Sequence, residues 1–390
     1  MNLPKSPDIP NSYTVFAQPT RSGFFALSCL RDFTNTVIEP YAQAETETTL
    51  ILDFSLVKVW DIAAVLWLIV ALHHYRHNVG LSYLLRLPEG KDGMKPSDFD
   101  DYERSADYLR RWEFNKGLKN IASNVDSLLV PQQKEYFSPE RPKHFYPDRK
   151  IIDNESLLQS LVSRRLVQIR NLSDPIFLGA KAISPQSIAD CVRYFQSERI
   201  GDILNIQCGI EKRTADLFSD HLLTEALMNV QEHPNATIGL VAISLMGNTK
   251  ELILSVVDNG DAIPQTIYPR YYRDLKSPEK RQAENIPSYN RQALPVEEKA
   301  KITNYATRAG VTRKMGMESQ GKGMGLTYIK NDTVNTFKGK LRILTDGLCL
   351  KYEGGAAEDP KAEGWPHSWT GNLLRIAIPI EPHLQLRDVK

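Results

Sequence analysis

The pattern that most constrains the fold is the order of helix and strand segments in the C-terminal half of the chain. A helical pattern over about residues 214–233 is followed by two apolar, β-rich segments, TIGLVAISL and ELILSVVD. A long polar segment, a glycine cluster, a second helical pattern, a hairpin and a last strand, LLRIAIPI, come next. Helices that alternate with a mixed sheet in this order predict a two-layer α/β sandwich.

The N-terminal half shows a different alternation of helix and strand. The segment from Ile62 to Leu72 is strongly apolar, but it is about half the roughly 20 residues that a bilayer requires, so it predicts a buried core helix. Asp61 stands where the N-cap of this helix is expected, and Gly80 where the chain leaves it. Around it we predict a helix over 24–41, a central strand over 49–55, a strand in LSYLLRL and an amphipathic helix over about 102–118. This order is typical of a small α/β domain.

The length of 390 residues favours two domains. A segment rich in proline and charge, residues 131–147, indicates a boundary. We therefore predict an N-terminal domain over 1–130, a connector with two helical patterns over 131–204 and a C-terminal domain over 205–390. Lys and Arg number 48 against 47 Asp and Glu, so the balance of charge gives no support to nucleic-acid binding.

The cysteines and the N-terminus bear on the compartment. Four cysteines, Cys29, Cys191, Cys208 and Cys349, lie far apart and form no CxxC pair, which favours reduced thiols over a zinc cluster or a disulfide framework. The first residues lack the basic start and apolar run of a signal peptide. We expect a cytoplasmic protein with no membrane association.

The first candidate site residues, Glu225 and Asn229, lie in the helical pattern over 214–233. They are four residues apart and hence on one helix face, while Leu223, Leu227 and Val230 line an apolar face. A carboxylate beside an amide oxygen can activate a nucleophile and bind Mg²⁺, which prefers oxygen ligands. The alternative is an ordinary solvated helix face.

The second candidate is the segment DNGDAIP, which directly follows a predicted strand. Asp258 at the strand end can accept a hydrogen bond from the exocyclic amine of adenine, and Gly260 lets the backbone approach a flat base. The alternative is a plain hairpin turn, since Asn-Gly is a strong turn signal. The prolines in the following AIPQTIYP do not suit a returning strand.

The third candidate is the cluster GKGMGL, residues 321–326, before a helical pattern. Closely spaced glycines at a helix start expose backbone N–H groups and the positive helix end, which favours phosphate binding. The spacing departs from the P-loop pattern because Gly323 stands where a Ser or Thr would bind Mg²⁺. The alternative is a glycine hinge.

In order and spacing the three segments resemble the N box and the two glycine boxes of the GHKL group (gyrase, heat-shock chaperone, histidine kinase and MutL proteins), over roughly residues 205–382. This resemblance implies the ATP-binding fold of that group, also called the Bergerat fold, with ATP and Mg²⁺ as cofactors. Glu225 would be the general base, and Asn229 would ligate Mg²⁺ and contact the nucleotide. Asp258 would bind adenine, with Gly260 beneath the base. Phosphates would be cradled by Gly321, Gly323 and Gly325, and the remaining box residues Ile263, Lys322, Met324 and Leu326 would line the site.

The resemblance also implies an ATP lid between the glycine boxes, over residues 265–320. Its cations include Arg308, Arg313 and Lys314, which could reach a γ-phosphate or simply be solvated. These proteins often carry Gly-Thr before the last strand, and this chain has Gly371-Asn372. That departure leaves open whether Asp258 has a supporting contact there.

The N-terminal half, over about residues 13–120, resembles a STAS domain, the fold of anti-sigma-factor antagonists. The segment LILDFSLVKVWDIAAVLWLIVAL and the flanking patterns carry this resemblance. The family places a phosphorylatable serine after the central strand. Here the corresponding residues are Asp61-Ile62-Ala63-Ala64, without a hydroxyl, so no phosphoacceptor role is expected.

Together these resemblances predict an ATP-binding regulatory switch with Mg²⁺-dependent ATPase or serine/histidine-kinase-like phosphotransferase activity. A protein partner or a second copy of the chain is the expected partner. The alternative is a non-catalytic scaffold that uses both folds as docking surfaces. A clamp on DNA is disfavoured by the neutral charge.

Overall fold

The computed structural model describes residues 12–42, 49–89, 105, 106, 109, 114–134, 136, 176–180, 201, 204, 205, 210–232, 235–246, 251–276, 288–308, 311, 325–353, 360–365, 367 and 369–380. They form two compact units, the first mainly from residues up to Asn154 and the second mainly from residues after Ala180. The chain is mixed α/β, as the sequence predicted. Most of the predicted connector, including both of its helical patterns, lies outside the described residues, and the strand at Ile176–Ala180 was not predicted.

The first unit is built on a parallel sheet of order β1-β3-β5. The predicted central strand is confirmed, since β3 lies between the other two and is buried along most of its length. The predicted helix over 24–41 begins later than expected because Phe24 and Phe25 pair with a second short strand. The elements are β1 (Ser12–Phe16), β2 (Phe24–Phe25), α1 (Leu27–Phe33), a π-helical turn (Thr34–Ile38), α2 (Glu39–Ala42), β3 (Thr49–Asp53), β4 (Val59–Trp60), α3 (Ile62–His77), β5 (Tyr83–Arg86), α4 (Phe114–Leu118) and two 3₁₀ turns (Val125–Leu128, Pro131–Gln133).

Helix α3 is the core of this unit. Every residue from Ile62 to Leu72 is buried, which confirms the predicted core helix. The predicted N-cap is also confirmed, since Asp61 Oδ1 accepts a hydrogen bond of 2.9 Å from the Ala63 amide and so satisfies one of the free N–H groups of the first turn. Gly80, after the helix end, has a φ of +79°. No helix among the described residues is long and apolar enough to cross a membrane.

The last turns of α3 make the stability of the first unit sensitive to acid. Burial, followed by the nearby charges of His77 and His74, lowers the pKa of His73 from 6.5 to about 4. Because this pKa is lower in the folded than in the unfolded chain, the unfolded chain binds more protons between these two values. We expect the free energy of unfolding to fall as the pH drops from 6.5 to 4, by about 1–2 kcal/mol for a half-exposed ring.

His73→Gln should flatten this dependence while leaving stability at pH 7.5, where His73 is neutral in both states, nearly unchanged. Urea unfolding at a series of pH values, followed by circular dichroism, measures it. An equal slope in the variant and the wild type would contradict the assignment.

The second unit carries six strands of the larger sheet, in the order β11-β10-β9-β12-β8-β7. Neighbouring strands from β7 to β11 pair antiparallel. The predicted long helix, both strands after it, the hairpin and the last strand are confirmed. The chain enters this half after β6 (Ile176–Ala180), and the elements are α5 (Lys212–Asp216), a π-helical turn (Leu217–Leu222), α6 (Leu223–Glu232), β7 (Gly239–Met246), β8 (Glu251–Asp258), α7 (Ile263–Tyr271), α8 (Val296–Ala306), α9 (Gly325–Asn331), a π-helical turn (Asp332–Thr336), β9 (Lys340–Thr345), β10 (Leu348–Glu353), β11 (Lys361–Gly364) and β12 (Asn372–Pro379).

The predicted lid interval, residues 265–320, contains secondary structure that the sequence analysis did not predict. Helix α7 begins at Ile263 and continues as a π-helical turn, Tyr272–Lys276, and α8 covers Val296–Ala306. The two helices contact each other, and α8 also contacts β10 and β11. The described part of this interval is therefore packed on the sheet of the second unit, with Ile302, Tyr305 and Ala306 buried.

Candidate functional site

The face of α6 presents Glu225 and Asn229, as their spacing predicted. Leu223, Leu227 and Val230 are buried, whereas both polar residues are half-buried. The Asn229 Nδ2 donates a hydrogen bond of 2.8 Å to the Glu225 backbone oxygen. The amide nitrogen is a donor only, so Oδ1 is the atom that Asn229 can offer to a cation.

The start of α9 meets this polar face. A Cβ atom at Gly325 would lie 3.0 Å from Glu225 Oε2 and 3.3 Å from Asn229 Nδ2. Glycine thus lets the α9 backbone approach the carboxylate and the amide closely. Leu326 is half-buried at the next position. The other cluster residues, Gly321, Lys322, Gly323 and Met324, lie outside the described residues.

A pair that the sequence did not indicate joins the π-helical turn after α9 to the π-helical turn before α6. His221, one turn before Glu225, has its Nδ1 2.8 Å from Asp332 Oδ2. Its ring also lies edge-on to Tyr328, with 5.1 Å between ring centroids. These two contacts hold the two helices together beside the point where Gly325 approaches Glu225. Pattern alone could not find them, because the partners are 111 positions apart.

A second group of polar residues forms a row across three strands. Asp258 at the end of β8 lies directly opposite Asn372 of β12, and Asn372 lies directly opposite Thr345 of β9. Residues that face each other across a ladder point to the same side of the sheet, so the three side chains meet. Their residues are 2%, 1% and 0% exposed, respectively, so their hydrogen bonds are shielded from bulk water.

Asn372 supplies the supporting contact that the sequence left open. Its Nδ2 donates to Asp258 Oδ1 at 3.0 Å and to the Asp261 backbone oxygen at 3.0 Å. Its Oδ1 accepts from the Ile263 amide at 3.0 Å and from the Thr345 hydroxyl at 2.7 Å. One side chain therefore orients Asp258 and also holds the first turn of α7. Thr345, which the sequence analysis did not single out, completes the network.

The segment after Asp258 is a strand-to-helix connection, so the hairpin alternative for Asn-Gly is wrong. The Gly260 amide donates to Asp258 Oδ1 at 2.9 Å, and Pro264 stands in the first turn of α7. Asn259 serves the fold instead: its Oδ1 accepts hydrogen bonds of 2.8 Å from the amides of Thr237 and Ile238. Asp258 therefore lies at the start of a turn whose conformation these hydrogen bonds hold.

The chain passes very close to Asp258 once more, at Gly371. This glycine has a φ of +134°, and a Cβ atom there would lie 2.4 Å from the Asp258 backbone oxygen. Only glycine satisfies both constraints. The residue before Asn372 therefore sets how β12 enters the sheet beside Asp258.

The described part of the lid interval is anchored to the β9–β10 turn. Asp346, 1% exposed, forms ion pairs with Arg291 (Nε to Oδ1, 2.6 Å) and Lys299 (Nζ to Oδ2, 3.1 Å), and it accepts a hydrogen bond from the Tyr289 hydroxyl. Burial and the Asp346 carboxylate raise the pKa of Tyr289 above its ordinary range. Of the predicted phosphate-reaching cations, Arg308 lies over the Tyr305 ring, and Arg313 and Lys314 lie outside the described residues.

Two groups of predicted residues are therefore each brought together. Glu225, Asn229 and Gly325 form one group, and Asp258, Gly260 and Ile263 form the other with Asn372 and Thr345. Helix α6, which carries Glu225 and Asn229, packs against β8, which carries Asp258. Among the described residues no group of three or more His, Cys, Asp or Glu side chains is placed to hold a metal ion.

Comparisons with protein families, with curated proteins and with solved structures find no match to this chain.

Proposed function

We propose that the second unit binds ATP with Mg²⁺ in the manner of the GHKL group. The observation that carries this proposal is the contact between Gly325 and the pair Glu225–Asn229, since these residues come from two segments 100 positions apart and were singled out for complementary chemistry. The packing of two helices does not require a carboxylate and an amide at their contact. A site that binds phosphate and a cation does require polar groups of this kind.

The second group supports the adenine end of the site. A carboxylate at a strand end, held by two donors and backed by Gly260, suits an amine donor on a flat base. Its burial strengthens such a charge-assisted hydrogen bond, because water does not compete strongly for the carboxylate.

The residues present fit Mg²⁺ bound together with phosphates. Asn229 Oδ1 is a hard oxygen ligand, and Mg²⁺ commonly takes one or two protein oxygens with the remainder from phosphates and water. ATP supplies the phosphoryl group when bound. Glu225 Oε2, beside the α9 start, is the group that would accept a proton from the attacking nucleophile, whether that is water or a protein side chain.

The proposed role is a nucleotide-dependent switch in which the first unit, STAS-like and without a hydroxyl at Asp61-Ile62-Ala63-Ala64, is a permanent docking module for a protein partner or a second copy. Nucleotide would act through contacts that are better in one state than in the other. The second candidate, a scaffold without catalysis, is supported by that missing hydroxyl.

Isothermal titration of the full chain with ATP, with and without Mg²⁺, tests binding, and phosphate release tests hydrolysis. We expect Glu225→Gln to bind ATP within about threefold of the wild type but to lower turnover by about 100-fold or more, because it removes only the base. Asn229→Ala should instead reduce the enhancement of binding by Mg²⁺.

Glu211→Gln, an exposed residue before α5, is the matched control and should change neither measurement. Turnover by Glu225→Gln at the wild-type rate would remove Glu225 from its role. ATP binding without hydrolysis or phosphoryl transfer in the wild type would remove the enzymatic activity and leave the nucleotide-dependent switch.

A further inference from the structure

The end of α3 carries two histidines on one face. His73 and His77 are four residues apart, and residues at this spacing are neighbours on a helix surface. The centroids of their rings are 4.6 Å apart, with an angle of 44° between the ring planes. His73 is half-buried and His77 is exposed, so an ion in solution can reach the pair.

The contact between His77 and Ile121 determines which ring nitrogen of His77 carries a proton. His77 Nε2 lies 2.9 Å from the backbone oxygen of Ile121. A carbonyl oxygen can only accept a hydrogen bond, so Nε2 is the donor and Nδ1 of the neutral ring carries the lone pair. In metal sites the second ring nitrogen of a histidine ligand commonly donates to a carbonyl or a carboxylate in this way. His77 is therefore held in a tautomer whose Nδ1 can bind a metal ion.

The spacing and the separation of the two rings suit a single ion. Histidines four residues apart on one helix face can bind the same zinc ion. Two nitrogens bound to one tetrahedral zinc ion are about 3.3 Å apart, because each Zn–N bond is about 2.0–2.1 Å long. Since the nitrogens lie at the edges of the rings, the centroid separation of 4.6 Å allows one nitrogen of each ring to lie at that distance.

The position at the end of α3 supports cation binding in two further ways. The helix is anchored, because every residue from Ile62 to Leu72 is buried, so little order has to be imposed on its backbone when an ion binds. His77 is also the last residue of the helix. The carbonyl groups at a helix C-terminus carry partial negative charge, which stabilises a cation there.

We propose that His73 and His77 form a binding site for Zn²⁺ and related divalent transition-metal ions. Imidazole nitrogens suit these ions, whereas Mg²⁺ prefers oxygen ligands. The two rings supply half of the four ligands that Zn²⁺ usually takes, and water can complete the set. A bound ion cross-links the end of α3 and stabilises the turn that contacts Ile121. The site belongs to the first unit and does not depend on the proposed ATP site.

Titration calorimetry of the full-length protein with zinc chloride at pH 7.5 tests this proposal. Histidine side chains, with an ordinary pKa of about 6.5, are mostly neutral at this pH and can bind metal. We expect His73→Gln and His77→Gln each to weaken Zn²⁺ binding at this site by about tenfold or more, because each removes one of the two imidazole ligands. In His77→Gln the new amide can still donate to the Ile121 oxygen.

His74→Gln is the matched control. It removes an imidazole from the same turn, but adjacent residues of a helix point about 100° apart around its axis. The His74 ring lies against Tyr75, with 5.7 Å between the ring centroids. We expect this variant to bind Zn²⁺ within about threefold of the wild type. Circular dichroism verifies that all three variants are folded.

Nuclear magnetic resonance of the wild type identifies the ligand atoms without any substitution. In protein labelled with ¹⁵N-histidine, Zn²⁺ should shift the Nδ1 resonance of His77 while Nε2 keeps its proton. Equal Zn²⁺ binding by the wild type, His73→Gln and His77→Gln would overturn the proposal. A response of the His77 ring to Mg²⁺ as large as that to Zn²⁺ would overturn it as well, because it would show a general effect of charge instead of coordination by nitrogen.

Discussion

Asp258→Asn is expected to weaken ATP binding by about tenfold to 100-fold while the second unit remains folded. The loss corresponds to one charge-assisted hydrogen bond, about 1.5–3 kcal/mol. Asparagine keeps the size of the side chain, and its Oδ1 can still accept from Gly260 and Asn372. Its Nδ2 then replaces the second carboxylate oxygen, so that a donor faces the donor amine of adenine. Calorimetry measures the affinity, and circular dichroism verifies the fold.

Asparagine is a cleaner substitution here than alanine. Asp258→Ala would also weaken binding, but it would leave two buried donors without their acceptor and so destabilise the unit by about 1–3 kcal/mol. Asp261→Asn is the matched control, because it removes a charge three residues away whose carboxylate contacts Asn235 instead of the row. Equal ATP affinities of the wild type and Asp258→Asn would remove Asp258 from the base subsite.

Gly371→Ala is expected to destabilise the second unit by about 3 kcal/mol or more and to abolish ATP binding with it. The added Cβ would lie 2.4 Å from a backbone oxygen, which cannot rotate away as a side chain can. The φ of +134° adds strain for any residue with a Cβ. Relief requires β12 to move relative to β8, and that shift would carry Asn372 away from Asp258.

Chemical unfolding followed by circular dichroism measures this effect. Gly364→Ala is the control in the same sheet, since a Cβ there would meet only Val296 Cγ2, at the ordinary contact distance of 3.9 Å. We expect its free energy of unfolding to change by less than about 0.5 kcal/mol. A Gly371→Ala protein as stable as Gly364→Ala would show that β12 enters the sheet differently.

Among the described residues, local sequence patterns predicted helices and strands correctly where one face of the element, or the whole element, is apolar. The apolar run of α3 predicted a buried helix, and the residue before it predicted its cap, because both signals act within a few residues. The same locality placed Glu225 and Asn229 on one face of α6. Helices α7 and α8 were not predicted, because the polar interval that contains them has no strong apolar periodicity. In addition, the first amide of α7 binds side chains that are distant in sequence.

The sequence by itself determined which segments become helices and strands in the apolar regions, and it predicted a site at Glu225, Asn229, Asp258 and the glycine cluster. The tertiary structure alone decided that Asn372 and Thr345 stand beside Asp258. Their meeting depends on the register of three strands distant in sequence, and a slip of one residue would turn each side chain to the opposite face. The resemblance drew attention to Asn372 but left its contact open, and nothing in the sequence indicated Thr345, because side chains of ordinary type acquire this role only from strand pairing.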